Sequence, residues 1–190
     1  LQSRNDDGSW KRYDADWRES TYKNYFWMVP YDLQGLIDSI GGKEAAEKRL
    51  DEMFRRLDAS YGDEWFASGN EPSFQIPWIY NWAGAPYKAQ QVIRRILNEQ
   101  YSSRVNGLPG NDDLGSMGAW YVFASIGLFP EIPGVGGFSV NSPVFRKIVL
   151  HLPEGDVIIK GGDEKKEYIH SLSLDGKKME GTWIDWSDLY

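Results

Sequence analysis

The sequence predicts a mainly α-helical chain with a C-terminal β region, because two hydrophobic periodicities follow each other along its 190 residues. Up to about Leu128, apolar residues recur at helical spacing. After Pro130, apolar residues alternate with polar ones, and Gly and Pro mark turns between the runs. We therefore divide the chain into a helical part at 1–130 and an antiparallel β part at 131–190.

Four helices are predicted in the helical part. Asp32 is the expected N-cap of a helix that stops at Gly41-Gly42, and a second helix starts at Lys43. Pro86 suits the first turn of a third helix. The fourth, at about 115–126, is apolar nearly all round and is expected to be deeply buried. The apolar stripes are, in order, Leu33/Leu36/Ile37/Ile40, Ala46/Leu50/Met53/Phe54/Leu57, Ala89/Val92/Ile93/Ile96/Leu97 and Met117/Trp120/Tyr121/Ala124.

Strands are predicted at 147–152, 157–160 and 168–174, where apolar and polar residues alternate. Asp175-Gly176 follows the third run, and Asp-Gly between alternating runs is a strong signal for a two-residue hairpin. The β part is therefore expected to be antiparallel.

Composition excludes several classes of function. Lys and Arg number 21 against 28 Asp and Glu, so the formal charge is −7, which argues against a nucleic-acid or anionic-membrane partner. No apolar run approaches the roughly 20 residues of a membrane helix. The chain has no Cys and two His, which rules out disulfides and a Cys nucleophile and disfavours His-built metal sites. It begins at Leu1 without an initiator Met or signal peptide and ends abruptly, as a segment of a longer protein would.

Aromatic residues make up 15% of the chain. Tryptophan and tyrosine among carboxylates are typical of a carbohydrate-handling surface, because a sugar ring offers a C–H face for stacking and hydroxyls for hydrogen bonds. The same residues also fill large cores, and composition alone leaves both interpretations open.

Three polar segments, at 17–20, 69–77 and 109–117, interrupt the helical part. Taken singly, each has a structural explanation: Glu19 as a first-turn acid, 70–72 as a turn, and 111–113 as a helix cap. Together they supply acids and amides beside dense aromatics. Paired carboxylates are the usual equipment of glycoside hydrolysis, and oxygen clusters without Cys or several His suit a hard cation such as calcium.

Several sequence blocks match a known family in the same order. They are GNEPS at 69–73 with IP at 76–77 and YN at 80–81, and GNDD at 110–113 running into MGAWYVF at 117–123. These blocks resemble the C-terminal signatures of glycoside hydrolase family 92, a family of calcium-dependent α-mannosidases. Glu19 with WMVPYD at 27–32 is similar to the acid-bearing block, and the tail from Ser171 through Trp183-Ile184 is similar to the last β segment. The resemblance covers nearly the whole chain from about Trp17.

The resemblance implies an inverting mechanism carried by two carboxyl groups. Glu19 would be the general acid that protonates the leaving oxygen, and Asp113 the general base that activates water. Asn111 falls where the family often has an Asp assisting that base. An inverting pair is expected to lie roughly 6.5–9.5 Å apart to admit the water.

The resemblance also implies calcium, which in this family binds the hydroxyls of the mannose at the cleaved end. Asn70, Glu71 and Asp112 are the candidates for its ligands. Phe74-Gln75 replaces a His-Glu pair with which α-1,2-specific members contact the leaving sugar, so linkage specificity is left open. Trp17 joins Phe74 and Gln75 as a candidate sugar contact.

The family resemblance further implies that the chain holds the last helical hairpins of an (α/α)6 barrel followed by antiparallel strands. Its partners would be a mannose-containing glycan and the rest of the parent chain, namely an N-terminal β-sandwich and the remaining barrel helices. Such a fragment alone is expected to be inactive, and a secreted or periplasmic location is the family expectation. Two alternatives stand beside this hypothesis: a non-catalytic carbohydrate-binding or scaffolding domain, and another (α/α)-barrel glycosidase of different stereochemistry.

Overall fold

Helices occupy the first two thirds of the chain in the computed structural model, which describes residues 3–12 and 16–189. Every candidate site residue lies in these ranges, whereas Leu1 and the last residue, Tyr190, lie outside them. The helices are α1 (Tyr22–Tyr25), α2 (Leu33–Ser39), α3 (Lys43–Met53), α4 (Ile79–Trp82), α5 (Pro86–Glu99) and α6 (Ser116–Ile126). Short 3-10 turns lie at Pro30–Asp32, Glu71–Ser73, Ile76–Trp78 and Trp186–Leu189.

Antiparallel strands follow the helices. They are β1 (Leu128–Phe129), β2 (Gly137–Val140), β3 (Lys147–Leu152), β4 (Gly155–Lys160), β5 (Ser173–Leu174), β6 (Lys177–Lys178) and β7 (Trp183–Asp185). Strands β1, β2 and β7 form one sheet in that order, and β3–β4 and β5–β6 are two-stranded pairs. The predicted class, mainly α with antiparallel strands near the C-terminus, is confirmed, while the domain division at residue 130 stays a prediction.

Three of the four predicted helices begin and bury their stripes as expected. The Asp32 carboxylate accepts a hydrogen bond from the Gly35 amide at 3.0 Å, which caps α2. Pro86 occupies the first turn of α5, and all five apolar residues of its stripe are buried. Helix α5 is the longest, with 14 residues, and no helix in the described ranges is long and apolar enough to cross a membrane.

Helix α6 begins and ends as predicted, but its expected burial all round is wrong. Met117, Trp120 and Ala124 are buried, whereas Tyr121 is 41% and Val122 56% exposed. The helix packs its buried face towards α5 and β1, and the described residues leave the opposite face to solvent. Hydropathy therefore located the helix correctly, but it did not reveal which of its faces are covered by other residues.

The β part follows the predicted pattern except in one segment. Asp175 and Gly176 have φ values of 48° and 78°, and they join β5 to β6 as the Asp-Gly signal predicts. The strand expected at 168–174 is wrong for 168–172, since β5 contains only Ser173 and Leu174. The reason lies partly in α5, because the amide of Ile169 donates to the Gln90 side-chain oxygen at 2.9 Å instead of to a neighbouring strand.

A buried arginine attaches the β part to α5. Arg94, one turn beyond Gln90, donates to backbone carbonyls in two separate loops of the β part. These carbonyls belong to Ser142, Pro143, Asp163, Glu164 and Lys166. Helix α5 thus binds the β part through its polar side chains and the helical core through its apolar ones.

Glu131 is a buried carboxyl group where the helical and β parts meet. It is 1% exposed, and its Oε2 is hydrogen-bonded to the Ser139 hydroxyl and, at 3.2 Å, to the Trp82 indole N–H. Its other oxygen is buried without a hydrogen-bond partner among the described residues. Burial raises the pKa of Glu131 to about 7, outweighing the two hydrogen bonds, which lower it.

The raised pKa predicts that Glu131 makes the protein less stable as pH rises. The folded state holds the proton up to about pH 7, whereas the unfolded state releases it near 4.5, so the stabilisation is complete below 4.5 and lost between the two values. The difference corresponds to about 3 kcal/mol. Glu131→Gln should resemble the wild type at pH 5 and exceed its unfolding midpoint at pH 8. The exposed control Glu154→Gln should follow the wild type at both pH values. If the unfolding midpoint of Glu131→Gln depends on pH in the same way as that of the wild type, Glu131 is not the group responsible.

Candidate functional site

The three polar segments meet in the folded chain. The Asn70 side-chain amide donates to the backbone carbonyl of Glu19 at 2.6 Å, which joins the first and second segments. Gly69 and Gly110 join the second and third, because a Cβ on Gly110 would lie 2.4 Å from the Gly69 carbonyl oxygen. Glycine is required at both positions for the two backbones to approach so closely. Segments separated by 40 or more residues in sequence, as 19, 70 and 110 are, thus form one surface region.

Glu19 lies on exposed, strained backbone at the entrance to α1. Its φ is 60°, a left-handed conformation that costs a residue with a Cβ on the order of 1–3 kcal/mol. Its side chain is 51% exposed, and among the described residues its ion-pair contact is a long one of 3.7 Å to Arg18 Nε. The following residues, Ser20 and Thr21, are buried, so the chain enters the core directly after the carboxyl group.

Asp113 shares this unusual backbone. Asp113, Leu114 and Gly115 have φ values of 47°, 60° and 93° in succession, immediately before α6. The Asn111 side-chain amide donates to Asp113 Oδ1 at 2.5 Å, which fixes the direction of the carboxylate. The exposed carboxylate of Asp113 is accessible to water, as a base that activates water must be.

Asp112 caps helix α6. Its Oδ1 accepts from the Gly118 amide at 3.0 Å, and its backbone carbonyl accepts from the Ser116 hydroxyl at 2.9 Å. Its charge also adds to the effect of burial in raising the pKa of the Tyr101 hydroxyl. The capping explanation thus applies to Asp112, and capping occupies one of its two carboxylate oxygens.

The candidate calcium ligands supply the right atoms but a small number of them. Asn70 is buried and uses its amide nitrogen on Glu19, which leaves its Oδ1 as an oxygen ligand. Glu71 is exposed at the start of a 3-10 turn. Calcium takes six to eight oxygens, and within the described ranges no three His, Cys, Asp or Glu residues are grouped to hold a metal. Asn70 and Glu71, which are adjacent in the chain, and Asp112 therefore offer oxygen atoms of the kind calcium binds, but fewer than a full shell requires.

The candidate sugar contacts differ in how much of each side chain is already engaged in other contacts. Phe74 is half-buried, its ring lies 6.5 Å from that of Trp120, and its carbonyl accepts from the Trp120 indole N–H at 3.0 Å. Gln75 donates to the Pro72 carbonyl at 3.3 Å. Trp17 stacks on Tyr25 with the ring centroids 5.2 Å apart, so one of its faces is covered.

Tyr25 contacts the backbone beside Glu19, although the sequence did not single it out as a candidate site residue. Its hydroxyl donates to the Arg18 carbonyl at 2.7 Å, directly before Glu19. It lies within an aromatic run at 22–29, and nothing in that run distinguishes it from its neighbours.

A groove of about 470 Å³ lies apart from the candidate site, between α1, α3 and the loop at 64–65. Its walls include Tyr22, Phe26, Arg49 and Trp65, and none of the candidate site residues lines it. The guanidinium of Arg49 lies 4.9 Å from the centre of the Phe26 ring.

The family of the chain follows from comparison with known proteins. Residues 1–190 match the model of the glycosyl hydrolase family 92 catalytic domain. The chain belongs to glycosyl hydrolase family 92. The resemblance found in the sequence blocks is thereby confirmed.

Relatives of this family 92 chain are considerably longer. A protein of Arthroderma benhamiae named as an uncharacterized secreted glycosidase is 31% identical over 176 residues, covering 87% of this chain and 22% of the relative. The structure of a family GH92 alpha-mannosidase from Bacteroides thetaiotaomicron superimposes with a TM-score of 0.86 at 32% identity, covering 99% of this chain and 26% of the other. A family GH92 inverting mannosidase from the same species gives 0.85 at 29% identity, covering 100% and 29%. The chain thus spans about a quarter of the length of these relatives.

Proposed function

We propose that the full-length protein carrying this family 92 chain is an inverting, calcium-dependent exo-α-mannosidase that hydrolyses α-mannosides of glycans. The observation that carries the proposal is the meeting of the three polar segments through Asn70 and the Gly69–Gly110 contact. That meeting places side by side the three segments that carry the candidate acid, base and oxygen ligands, which supports the proposal that these residues act together. Similarity to proteins described as mannosidases supports the choice of sugar.

The proposed reaction is a single displacement at the anomeric carbon. Glu19, in its protonated form, gives its proton to the glycosidic oxygen as the bond from that oxygen to the anomeric carbon breaks. Asp113 takes a proton from a water molecule whose oxygen forms the new bond on the opposite face of the sugar. Asn111 holds the Asp113 carboxylate through its amide hydrogen bond. The products are mannose of inverted configuration and the free alcohol.

The remaining candidates would bind rather than transfer protons. Asn70 Oδ1, Glu71 and Asp112 would supply oxygen ligands to calcium, which when bound places positive charge beside the sugar hydroxyls. Trp17 and Phe74 offer apolar ring surface, and Gln75 an amide. The His-Glu pair of α-1,2-specific members is replaced here by Phe74-Gln75, so the proposal assigns no linkage.

The rest of the polypeptide is proposed as the partner of the exposed face of α6. Tyr121 and Val122 are exposed apolar residues of this helix, and Leu114 is exposed just before its start. The remaining helices of an (α/α)6 barrel and an N-terminal β-sandwich would cover it and close the pocket. The isolated chain is accordingly proposed to be inactive. Secretion or periplasmic location is proposed for the whole protein, in keeping with the secreted glycosidase among its relatives.

The test is to follow hydrolysis of α-mannosides by the full-length protein with proton NMR. Free β-mannose is expected as the first product, EGTA should lower the rate, and added calcium should restore it. Retained configuration would contradict the inverting mechanism, and a rate indifferent to EGTA would contradict the calcium site. Mannoside binding without hydrolysis would favour the non-catalytic carbohydrate-binding alternative. The isolated chain 1–190, assayed beside it, should release no mannose.

A further inference from the structure

We infer that Asn70 and Tyr25 are positioning residues that fix the backbone of Glu19 and thereby aim its carboxyl group at the leaving oxygen. The inference rests on the proposed role of Glu19 as the acid. It gives Asn70 a second role beside its proposed oxygen ligand to calcium and adds Tyr25. Both residues would act through Glu19 and would require no contact with substrate.

The two hydrogen bonds hold the peptide groups on both sides of Glu19. The Tyr25 hydroxyl donates to the Arg18 carbonyl at 2.7 Å, which fixes the peptide group before the Glu19 Cα. The Asn70 amide donates to the Glu19 carbonyl at 2.6 Å, which fixes the peptide group after it. Because φ and ψ describe the rotation of these two groups about the Cα, the pair of bonds sets both angles and the direction in which the side chain leaves.

Such a restraint is needed because the conformation is unfavourable for glutamate. A φ of 60° is adopted readily by glycine and asparagine but seldom by a long side chain. Without the two bonds the backbone would relax into the right-handed or extended region and turn the carboxyl group away. The side chain itself has little to hold it, since it is half exposed and its ion-pair contact with Arg18 is 3.7 Å long.

Both positioning residues are themselves anchored. Asn70 is 6% exposed, and its backbone amide donates to the Ala67 carbonyl at 3.2 Å. Tyr25 lies in α1, and its ring is stacked against Trp17, 5.2 Å away. The restraint on Glu19 is therefore transmitted from fixed elements of the fold.

The role of Asn70 through its nitrogen can be separated from a calcium role through its oxygen. Asn70→Asp keeps an oxygen for calcium but replaces the N–H donor with an oxygen that repels the Glu19 carbonyl. Tyr25→Phe removes one hydroxyl while preserving the ring stack, and it tests the same restraint without touching any candidate calcium ligand.

The experiment compares two substrates of the full-length protein. An alkyl α-mannoside needs a proton from the acid, whereas 2,4-dinitrophenyl α-mannoside has a leaving group that departs without one. For the alkyl substrate, Asn70→Asp should lower kcat by about 100-fold, because misplacement of a catalytic group by an ångström costs about that much. Tyr25→Phe should lower it by about 10-fold, because it removes one hydrogen bond without adding a repulsive contact. On the dinitrophenyl substrate both losses should be below about threefold, since general-acid assistance is not required. KM for the alkyl substrate should change little.

The controls separate the failure of this inference from that of the proposed function. The exposed residues Asn98 and Tyr61, changed to Asp and Phe, should leave both rates unaltered. Glu19→Gln should show the leaving-group dependence in its strongest form. If it does, and Asn70→Asp and Tyr25→Phe lower both substrates equally or neither, the positioning role is overturned while the acid role stands. If Glu19→Gln lacks that dependence, the acid role is overturned and this inference with it.

Discussion

Asp113→Asn is expected to lower kcat of the full-length protein by about 1000-fold on every α-mannoside, good leaving group or poor. A base that activates water serves all substrates, and general acid–base groups contribute about 100- to 10,000-fold. Glu19→Gln should lower kcat by about 1000-fold on alkyl mannosides and by much less on dinitrophenyl mannoside. The two variants thus give different leaving-group profiles, which steady-state rates with both substrates will distinguish.

The chain supplies a matched control for Asp113. Asp175 is also exposed and also left-handed, with a φ of 48° against 47° for Asp113, but it lies in the β5–β6 turn. Asp175→Asn makes the same chemical change on the same kind of backbone and should leave kcat unaltered. Full activity in Asp113→Asn would refute its assignment as the base. A loss confined to poor leaving groups would instead identify Asp113 as an acid.

The fold was predictable where burial follows local periodicity. Helices α2, α3 and α5 each bury one stripe of a segment, so the pattern locates them without knowledge of their neighbours. The pattern was misleading where a contact with a residue distant in sequence determines the local structure. Alternation at 168–172 suggested a strand, but Gln90 on α5 takes the Ile169 amide. Likewise the apolar composition of α6 indicated burial, yet Val122 faces solvent.

The three segments of the candidate site could be located from the sequence, but the contacts that join them could not. Three polar segments beside dense aromatics, taken in combination, singled out five acids and amides: Glu19, Glu71, Asn111, Asp112 and Asp113. What joins them is non-local: a side-chain bond to a carbonyl 51 positions away and a glycine-to-glycine contact. Neither leaves a periodic trace in the sequence. The hydrogen bond from Tyr25 to the Arg18 carbonyl spans only seven positions, and it too leaves no periodic trace in the sequence.

Trp78→Ala is expected to give the largest loss of stability, because Trp78 joins the helical part, the β part and the second polar segment. Its ring is fully buried, is stacked on Phe129 with centroids 4.0 Å apart, and meets Trp120 edge-on at 5.6 Å. Its indole N–H donates to the buried Asn141 side-chain oxygen at 3.2 Å.

Removing the Trp78 ring should cost about 3–5 kcal/mol for the cavity, and about 1–3 kcal/mol more for leaving Asn141 unsatisfied. Trp78→Phe also leaves Asn141 unsatisfied, but it should lose less than Trp78→Ala because its ring fills part of the cavity. Trp10→Ala, which removes a 58% exposed ring lying against Arg4, should cost under about 1 kcal/mol. Denaturant unfolding of the full-length protein will rank the three variants by stability.

Trp78→Ala should also lower kcat, even at denaturant concentrations below its unfolding midpoint where the protein is folded. Trp78 directly follows the segment 69–77 that carries Asn70 and Glu71, so its loss should loosen the contacts that hold Glu19. If Trp78→Ala and Trp10→Ala lower kcat equally, the polar segments are held together by their own contacts, independently of this core.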